Sequence, residues 1–249
     1  MKRSTFLALL LASGAVLAGN HGPHWGYSGH EGPEHWGKLD KSFAACKSGK
    51  EQSPVNIVSR AAKQEKLAAI EFHYQAAKAE LVNNGHTVQI NYGPGSYIVA
   101  PTGRYELLQF HFHTPSEEEI DGRAADMVAH LVHKNAAGQL AVVAVLFDRS
   151  GSRDNPALAS FWDKLPKAGD KVALDGMVDA AALLPQARGY YHFKGSLTTP
   201  PCYEGVQWHV LKTPVSVGST QWLRMRQLFG DNARPVQPVN RRSIVDVAL

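Results

Sequence analysis

The sequence predicts a mainly β, α+β chain: one sheet-dominated domain with a few short helices at its periphery. Three observations carry this. Short β-type runs bounded by turn residues recur along most of the chain. Helical patterns are few and short. No linker-like stretch, internal repeat or low-complexity segment divides the 249 residues, and β-rich domains of that length are often single.

The first segment is set apart from the rest. Lys2 and Arg3 precede the apolar residues 6–17, and Val16 and Ala18 stand at the −3 and −1 positions of a cleavage site before Gly19. Residues 1–18 read as an export signal and 19–249 as the mature domain. The apolar run, about 12 residues, is too short to span a bilayer, and no Cys near the cut suggests lipidation. Residues 19–37 are rich in Gly, His and Trp with little periodicity. They are expected to form an extended segment that docks on a core built by later elements.

The β-type runs follow at 79–83, 87–92, 96–100, 105–113, 127–133, 140–147 and 206–213, separated by turn residues such as Asn84-Gly85 and Gly93-Pro94-Gly95. Helical patterns fall at 156–165, 177–184 and 219–229. Composition is that of an ordinary globular protein, 44% hydrophobic and 19% charged. The formal charge is +4, and Lys2 and Arg3 supply two of those positive charges. Without a basic run or interleaved aromatic and basic residues, nucleic acid is not indicated as a partner. Two cysteines are present, Cys46 and Cys202. In an exported protein an even count favours a disulfide. A bridge closing so long a loop stabilises by about 5 kcal/mol in the loop-entropy model.

The chemistry concentrates in histidines. In Gln109-Phe-His-Phe-His113 the side chains alternate, so His111 and His113 project from one face of a strand while Phe110 and Phe112 project from the other. Two imidazoles side by side on a rigid strand suit Zn2+. A third ligand is expected from a neighbouring strand, where Ala129-His-Leu-Val-His133 offers His130 and His133. These lie three apart and face opposite ways, so only one joins, and pattern alone does not choose between them. His111-x-His113 followed by Glu117 also matches the ligand spacing of the cupin barrels. The glycines that frame the cupin pattern are missing, however: Tyr105 and Ala124 stand in their places.

Ordered blocks recur along the chain: His24-Trp-Gly-Tyr27, Gly32-Pro-Glu-His-Trp36, Gln52-Ser-Pro-Val55, Asn83-Asn-Gly-His86, Gln109-Phe-His-Phe-His113, Pro115-Ser-Glu117, His130-Leu-Val-His133, Gly195-Ser-Leu-Thr-Thr-Pro-Pro201 and Arg234-Pro-Val-Gln-Pro238. Taken together, these blocks resemble the α-class carbonic anhydrases, in their exported bacterial form. They span nearly the whole mature chain. The resemblance implies a single domain with a large, twisted, mostly antiparallel central sheet and short peripheral helices. It implies a lyase that hydrates CO2 reversibly to bicarbonate and a proton through zinc hydroxide.

The family spacing places the third ligand 17 residues after the second, which selects His130. Thr198 then matches the threonine that accepts the hydroxide's proton and donates its own to Glu117. Val132, Val142, Leu197 and Trp208 match the apolar pocket wall for CO2, with Thr199 beside them. His86 matches the proton shuttle, and Tyr27, Asn84, Gln89 and Thr199 the holders of its water chain. Sulfonamides and anions are implied as inhibitors, no membrane span remains after signal removal, and a homodimer is compatible with the resemblance. The implied location is periplasmic or secreted, with Cys46 and Cys202 paired. Ser53-Pro54 and Pro200-Pro201 are expected in cis. The presence of all three histidines, Thr198 and Glu117 argues against a non-catalytic relative that has lost its ligands.

Two positions depart from the family pattern. Val128 stands where a Glu normally precedes the third ligand by two residues. Either another group orients His130 or zinc is held less tightly, and Asp126 lies too far along the strand to serve. Phe193 stands where Tyr is common.

Overall fold

The structure, a computed structural model, describes residues 23–149 and 153–249. The expected export signal, 1–18, lies outside the described residues. Ten strands form the main path of one large twisted sheet: β1 (Lys63–Gln64), β2 (Ala79–Asn83), β3 (Val88–Tyr92), β4 (Gly103–His113), β5 (Met127–Lys134), β6 (Leu140–Asp148), β7 (Lys171–Ala173), β8 (Tyr190–Ser196), β9 (Glu204–Leu211) and β10 (Val245–Val247). Their order across the sheet is β7-β2-β3-β4-β5-β6-β9-β8-β10-β1. The pairs β6–β9 and β10–β1 are parallel and the other seven are antiparallel. A small second sheet joins Asn56–Ile57 to Glu119–Ile120 and Arg123–Ala124. The α+β expectation and the mostly antiparallel sheet are both met.

Alternation along the central strands sorts side chains into two layers. One face sends Phe110, Phe112, Ala129, Leu131, Val143, Val145 and Phe147 into the main core, where Phe161 and Trp162 pack on them. The other face carries Val128, Val132, Val142, Ala144, Trp208 and Val210 in a smaller cluster closed by Val55 and Ile57. Burying Phe110 and Phe112 completely contributes about 2–3 kcal/mol each. That core holds the register that places the histidines on the opposite face.

The helices are few, as expected, and their lengths have local causes. Pro156–Trp162 begins where Asn155 caps it, its Oδ1 accepting from Ala157 N at 2.9 Å, with Pro156 in the first turn. It stops short of the predicted 165 because Leu165 precedes Pro166, and a residue before proline is disfavoured in helix. The 177–184 pattern yields only a 3-10 turn, Ala180–Leu183. Val178 is taken by a bridge to Ala77, Asp179 caps the turn, and Pro185 follows. Ser219–Phe229 forms as predicted and ends at Gly230, whose φ of 63° suits glycine. β8 was not predicted: Tyr190, Tyr191 and Phe193 are all buried, on both faces, so the strand shows no alternation of polarity.

The N-terminal segment docks as expected, although in short helical turns. Trp36, fully buried, packs with Phe43, Cys46 and Cys202, and Trp25 and Tyr27 lie against them. Cys46 and Cys202 form the disulfide. The Ser53–Pro54 and Pro200–Pro201 peptides are cis as expected, and Thr114–Pro115 is cis as well.

His133 and His209 occupy the face away from the cleft. His133 shares a 2.8 Å hydrogen bond with the Tyr74 hydroxyl, and burial lowers its pKa to about 3. His209 is fully buried with neither ring nitrogen partnered, and it stacks on His192 at 4.8 Å. Burial, then the charges of His192 and His133, hold its pKa well below 6.5. Both imidazoles stay neutral in the folded protein, while the unfolded chain protonates them as pH falls below 6.5. The unfolded state therefore binds more protons there, and stability drops with pH, by about 1.4 kcal/mol per pH unit for each group. His209→Leu removes one such group together with two unpartnered polar atoms. It is expected to melt no lower than wild type at pH 7.5 and to lose less between pH 7 and 5, which thermal melts across that range measure.

Candidate metal centre and cleft

Register brings the histidines together. β5 runs antiparallel to β4 with His130 opposite His111 and Val128 opposite His113. Because alternate residues share a face, His111, His113 and His130 converge. A candidate ligand atom from each lies within 4.8 Å of the others, and the ring centroids are 4.9 to 5.5 Å apart. His133 lies past a bulge after Val132 and points into the opposite layer, so among the described residues it takes no part.

Each imidazole is held from outside by one ring nitrogen. His111 Nδ1 donates to Gln109 Oε1 at 2.9 Å. His113 Nδ1 donates to the Asn232 carbonyl at 2.7 Å. His130 Nε2 donates to Glu118 Oε2 at 3.1 Å. The nitrogens left over, Nε2 of His111 and His113 and Nδ1 of His130, are the ones available to a ligand, and His113 Nε2 is buried with no partner. Burial, followed by the charge of His130, lowers the His111 pKa to about 3. The same causes hold His113 well below 6.5, with His111 adding to them. These two rings are therefore neutral, the form that binds metal. His130 differs. Burial opposes its charged form, but the charge and hydrogen bond of Glu118, with the charge of Glu117, outweigh that and raise its pKa.

Two consecutive acids lie beneath the rings, both buried. Glu117 Oε2 sits 3.5 Å from His113 Nε2 and 3.7 Å from His130 Nδ1. Its Oε1 accepts from Arg234 N at 2.8 Å, and the nearby Thr198 hydroxyl favours the charged form of the carboxyl. Burial pushes Glu117 up to about 7 and Glu118 adds to this, while His130, Thr198 and the Arg234 N–H pull the other way. Arg234 braces the region. Its guanidinium donates to Gln52 Oε1, Ser53 O and Cys46 O at 2.7 to 3.1 Å, and burial lowers its pKa only to about 10, so it remains charged.

Above the rings a cleft of about 160 Å3 opens, room for a small molecule and a few waters. Its wall includes the sequence-predicted His86, Val132, Val142, Leu197, Thr198, Thr199, Trp208, Tyr27, Asn84 and Gln89. Glu117 alone among the predicted catalytic residues lies behind the wall. Tyr27 is held well above 10, by burial and then by Glu117, so it stays protonated. Asn84 Oδ1 accepts from the backbone N–H of His86 and Thr87, at 3.0 and 2.9 Å, and shapes the turn that carries His86. Gln89 is oriented by its 2.6 Å bond to Asn91.

Sequence reasoning missed Trp25, whose ring stacks on His86 at 3.7 Å and 7°, and it missed the outer partners Asn232 and Glu118. Gln109 was legible in principle, since it shares His111's face two residues away. Asn232 is distant in sequence and acts through its carbonyl, which any residue carries. At the departures, Asp126 turns away to Arg149 at 2.7 Å. Phe193 packs parallel to Trp208, with 6.2 Å between centroids and 5° between planes.

Three sheet-borne imidazoles converging under a small cleft form a candidate metal site. A family model described as eukaryotic-type carbonic anhydrase matches residues 31–248. A carbonic anhydrase of Neisseria gonorrhoeae is 46% identical over 242 residues, covering 96% of this chain and 94% of that one. Another from Pectobacterium carotovorum is 40% identical over 247 residues, covering 98% and 100%. The solved structure of α-carbonic anhydrase from Thermovibrio ammonificans with the inhibitor sulfanilamide aligns with a TM-score of 0.87 at 43% identity, covering 90% of this chain and 100% of that one. The chain belongs to the α-class, eukaryotic-type carbonic anhydrases, a family of lyases.

The disulfide reaches this site. Cys202 N donates to Thr199 O at 2.8 Å, and Gln52 Nε2 donates to Cys202 O at 3.0 Å, so the bridge tethers the loop bearing Thr198 and Thr199 to the Arg234 network. Replacing both cysteines by serine is expected to lower stability by about 3–5 kcal/mol and to reduce kcat as well. Denaturant melts and CO2 hydration assays on the double variant check the two effects separately.

Proposed function

We propose that this protein catalyses the reversible hydration of carbon dioxide to bicarbonate and a proton, with Zn2+ held by His111, His113 and His130. The observation that carries this reading is how the three imidazoles are used. Each has one nitrogen tied to an acceptor outside the cluster and the other turned toward its fellows. Three nitrogen donors of this kind would suit zinc. Zinc held there would supply a Lewis acid able to bring the pKa of water toward neutrality, a documented property of this enzyme family.

Glu117 and Thr198 orient the attacking oxygen. An ionised carboxylate only accepts hydrogen bonds, so the Thr198 hydroxyl donates to Glu117 and keeps its lone pairs for the proton on the nucleophile. That aims an oxygen lone pair at the substrate carbon. The raised pKa of Glu117 is countered by a dication at the histidine cluster, which favours the carboxylate. CO2 carries no charge, and Val132, Val142, Leu197 and Trp208 give it an apolar wall, with Thr199 at hand for the product.

His86, half-buried at the cleft wall, takes the proton outward. Burial, then the charge of His24, lowers its pKa below 6.5, so the proton-accepting form prevails at neutral pH. Tyr27, Asn84, Gln89 and Thr199 hold the waters between. Sulfonamides and small anions are expected to compete with the substrate at this site. Export to the periplasm or the cell exterior belongs to the same proposal. The Cys46–Cys202 bridge suits an oxidising compartment, and among the described residues no helix is long and apolar enough to cross a membrane.

Wild type is expected to bind about one zinc per chain and to hydrate CO2 in a sulfanilamide-sensitive way, while His130→Ala loses both. Metal analysis beside the hydration assay tests this, and a wild type without zinc and without inhibitable activity overturns the reading. His86→Ala is expected to lower kcat by about 10²-fold and to recover when imidazole is added. In the wild type, kcat for hydration falls only as pH drops below 6.5, where His86 becomes protonated and ceases to accept.

A further inference from the structure

The three candidate ligands are not backed alike. His111 and His113 donate to neutral oxygens, an amide and a backbone carbonyl, and His130 donates to a carboxylate. The side chains of Glu118 and His130 are 0% and 2% exposed, so their contact is shielded from water. A charge-assisted bond in such surroundings is among the stronger ones a side chain makes. The carboxylate does not come from His130's own strand. On β5 the neighbouring position on the same face is Val128, fully buried in the apolar cluster. The carboxylate arrives instead from the turn that follows β4. That turn is pinned: Ser116 Oγ donates to Glu118 O at 2.7 Å and accepts from Ala125 N at 2.8 Å, and Glu119 N donates to Val55 O at 3.3 Å. The backbone on either side of Glu118 is therefore fixed, and its side chain is delivered to His130 Nε2.

We infer that Glu118 is the positioning residue of the third ligand, replacing from the turn after β4 the carboxylate that β5 lacks at Val128. It holds the proton of His130 on Nε2, keeps Nδ1 free and directed inward, and so governs how long the metal is retained. The inference rests on the zinc reading above. It follows that adding Glu at 128 does not tighten zinc binding. His130 Nε2 has one proton to donate, and Glu118 already accepts it. A second carboxylate beside it is a buried charge with no partner.

The test is zinc release from the holoenzyme into excess dipicolinate, for wild type, Glu118→Gln, Glu118→Ala, Val128→Glu and the double variant Glu118→Ala/Val128→Glu. Glu118→Ala is expected to release zinc about 10- to 100-fold faster. Glu118→Gln falls between wild type and Glu118→Ala, because its amide oxygen still accepts the Nε2 proton. Val128→Glu alone releases no more slowly than wild type, whereas in the double variant it slows release well below the Glu118→Ala rate. In cobalt-substituted protein, Glu118→Ala shifts the visible absorption bands and Glu118→Gln shifts them less, a signature that loss of stability alone does not produce. Melting of the metal-free variants separates unfolding from metal loss. Zinc release from Glu118→Ala at the wild-type rate, with unchanged cobalt bands, overturns the inference even though zinc binds. A double variant whose metal-free form melts like wild type yet loses zinc as fast as Glu118→Ala also overturns it. A wild type that binds no zinc overturns the functional reading instead.

Discussion

The site depends on the register between β4 and β5, with His130 set opposite His111. Side chains on paired strands alternate with a period of two, so a slip of one residue would move every histidine to the other face. What forbids the slip is on the far side of the sheet. Phe110 and Phe112 fill the core against Phe161 and Trp162, and exchanging them for imidazoles would bury polar rings without partners at about 1–3 kcal/mol each. The hydrophobic layer thus carries the precision of the polar one, and neither face can be altered without the other.

A second level of order fixes the orientation of each ring. The acceptors come from three places: Gln109 on the same strand, Asn232 more than a hundred residues later, and Glu118 in the turn after β4. Each removes one nitrogen from consideration and so determines which atom faces the centre. Arg234 ties this arrangement to the disulfide. Its backbone N–H holds Glu117 and its guanidinium holds Cys46 and Ser53. The N-terminal segment, the Thr198 loop and the acids beneath the rings are joined through one buried cation.

Electrostatics separates the floor of the cleft from its mouth. Two carboxylates are buried beside two neutral imidazoles, an arrangement that costs free energy without a cation and becomes favourable with one. At the mouth, His86 is held more loosely, by an Asx turn and a stacking contact with Trp25. The floor is buried, whereas His86 at the mouth is only half-buried and open to proton exchange with solvent.

Most strands, two of the three predicted helices, the disulfide partners and two of the three histidines were legible in the sequence, because alternation and turn chemistry are local properties. His130 and His133 stayed equivalent under that reading, and only the family spacing separated them before the register did. β8 was hidden because burial on both faces erases the alternation that marks a strand. Val128 left open whether another group orients His130. The tertiary structure supplied that group, because Glu118 reaches His130 through the folding of a turn onto a neighbouring strand, and no periodicity along the chain encodes a contact between segments that only packing brings together.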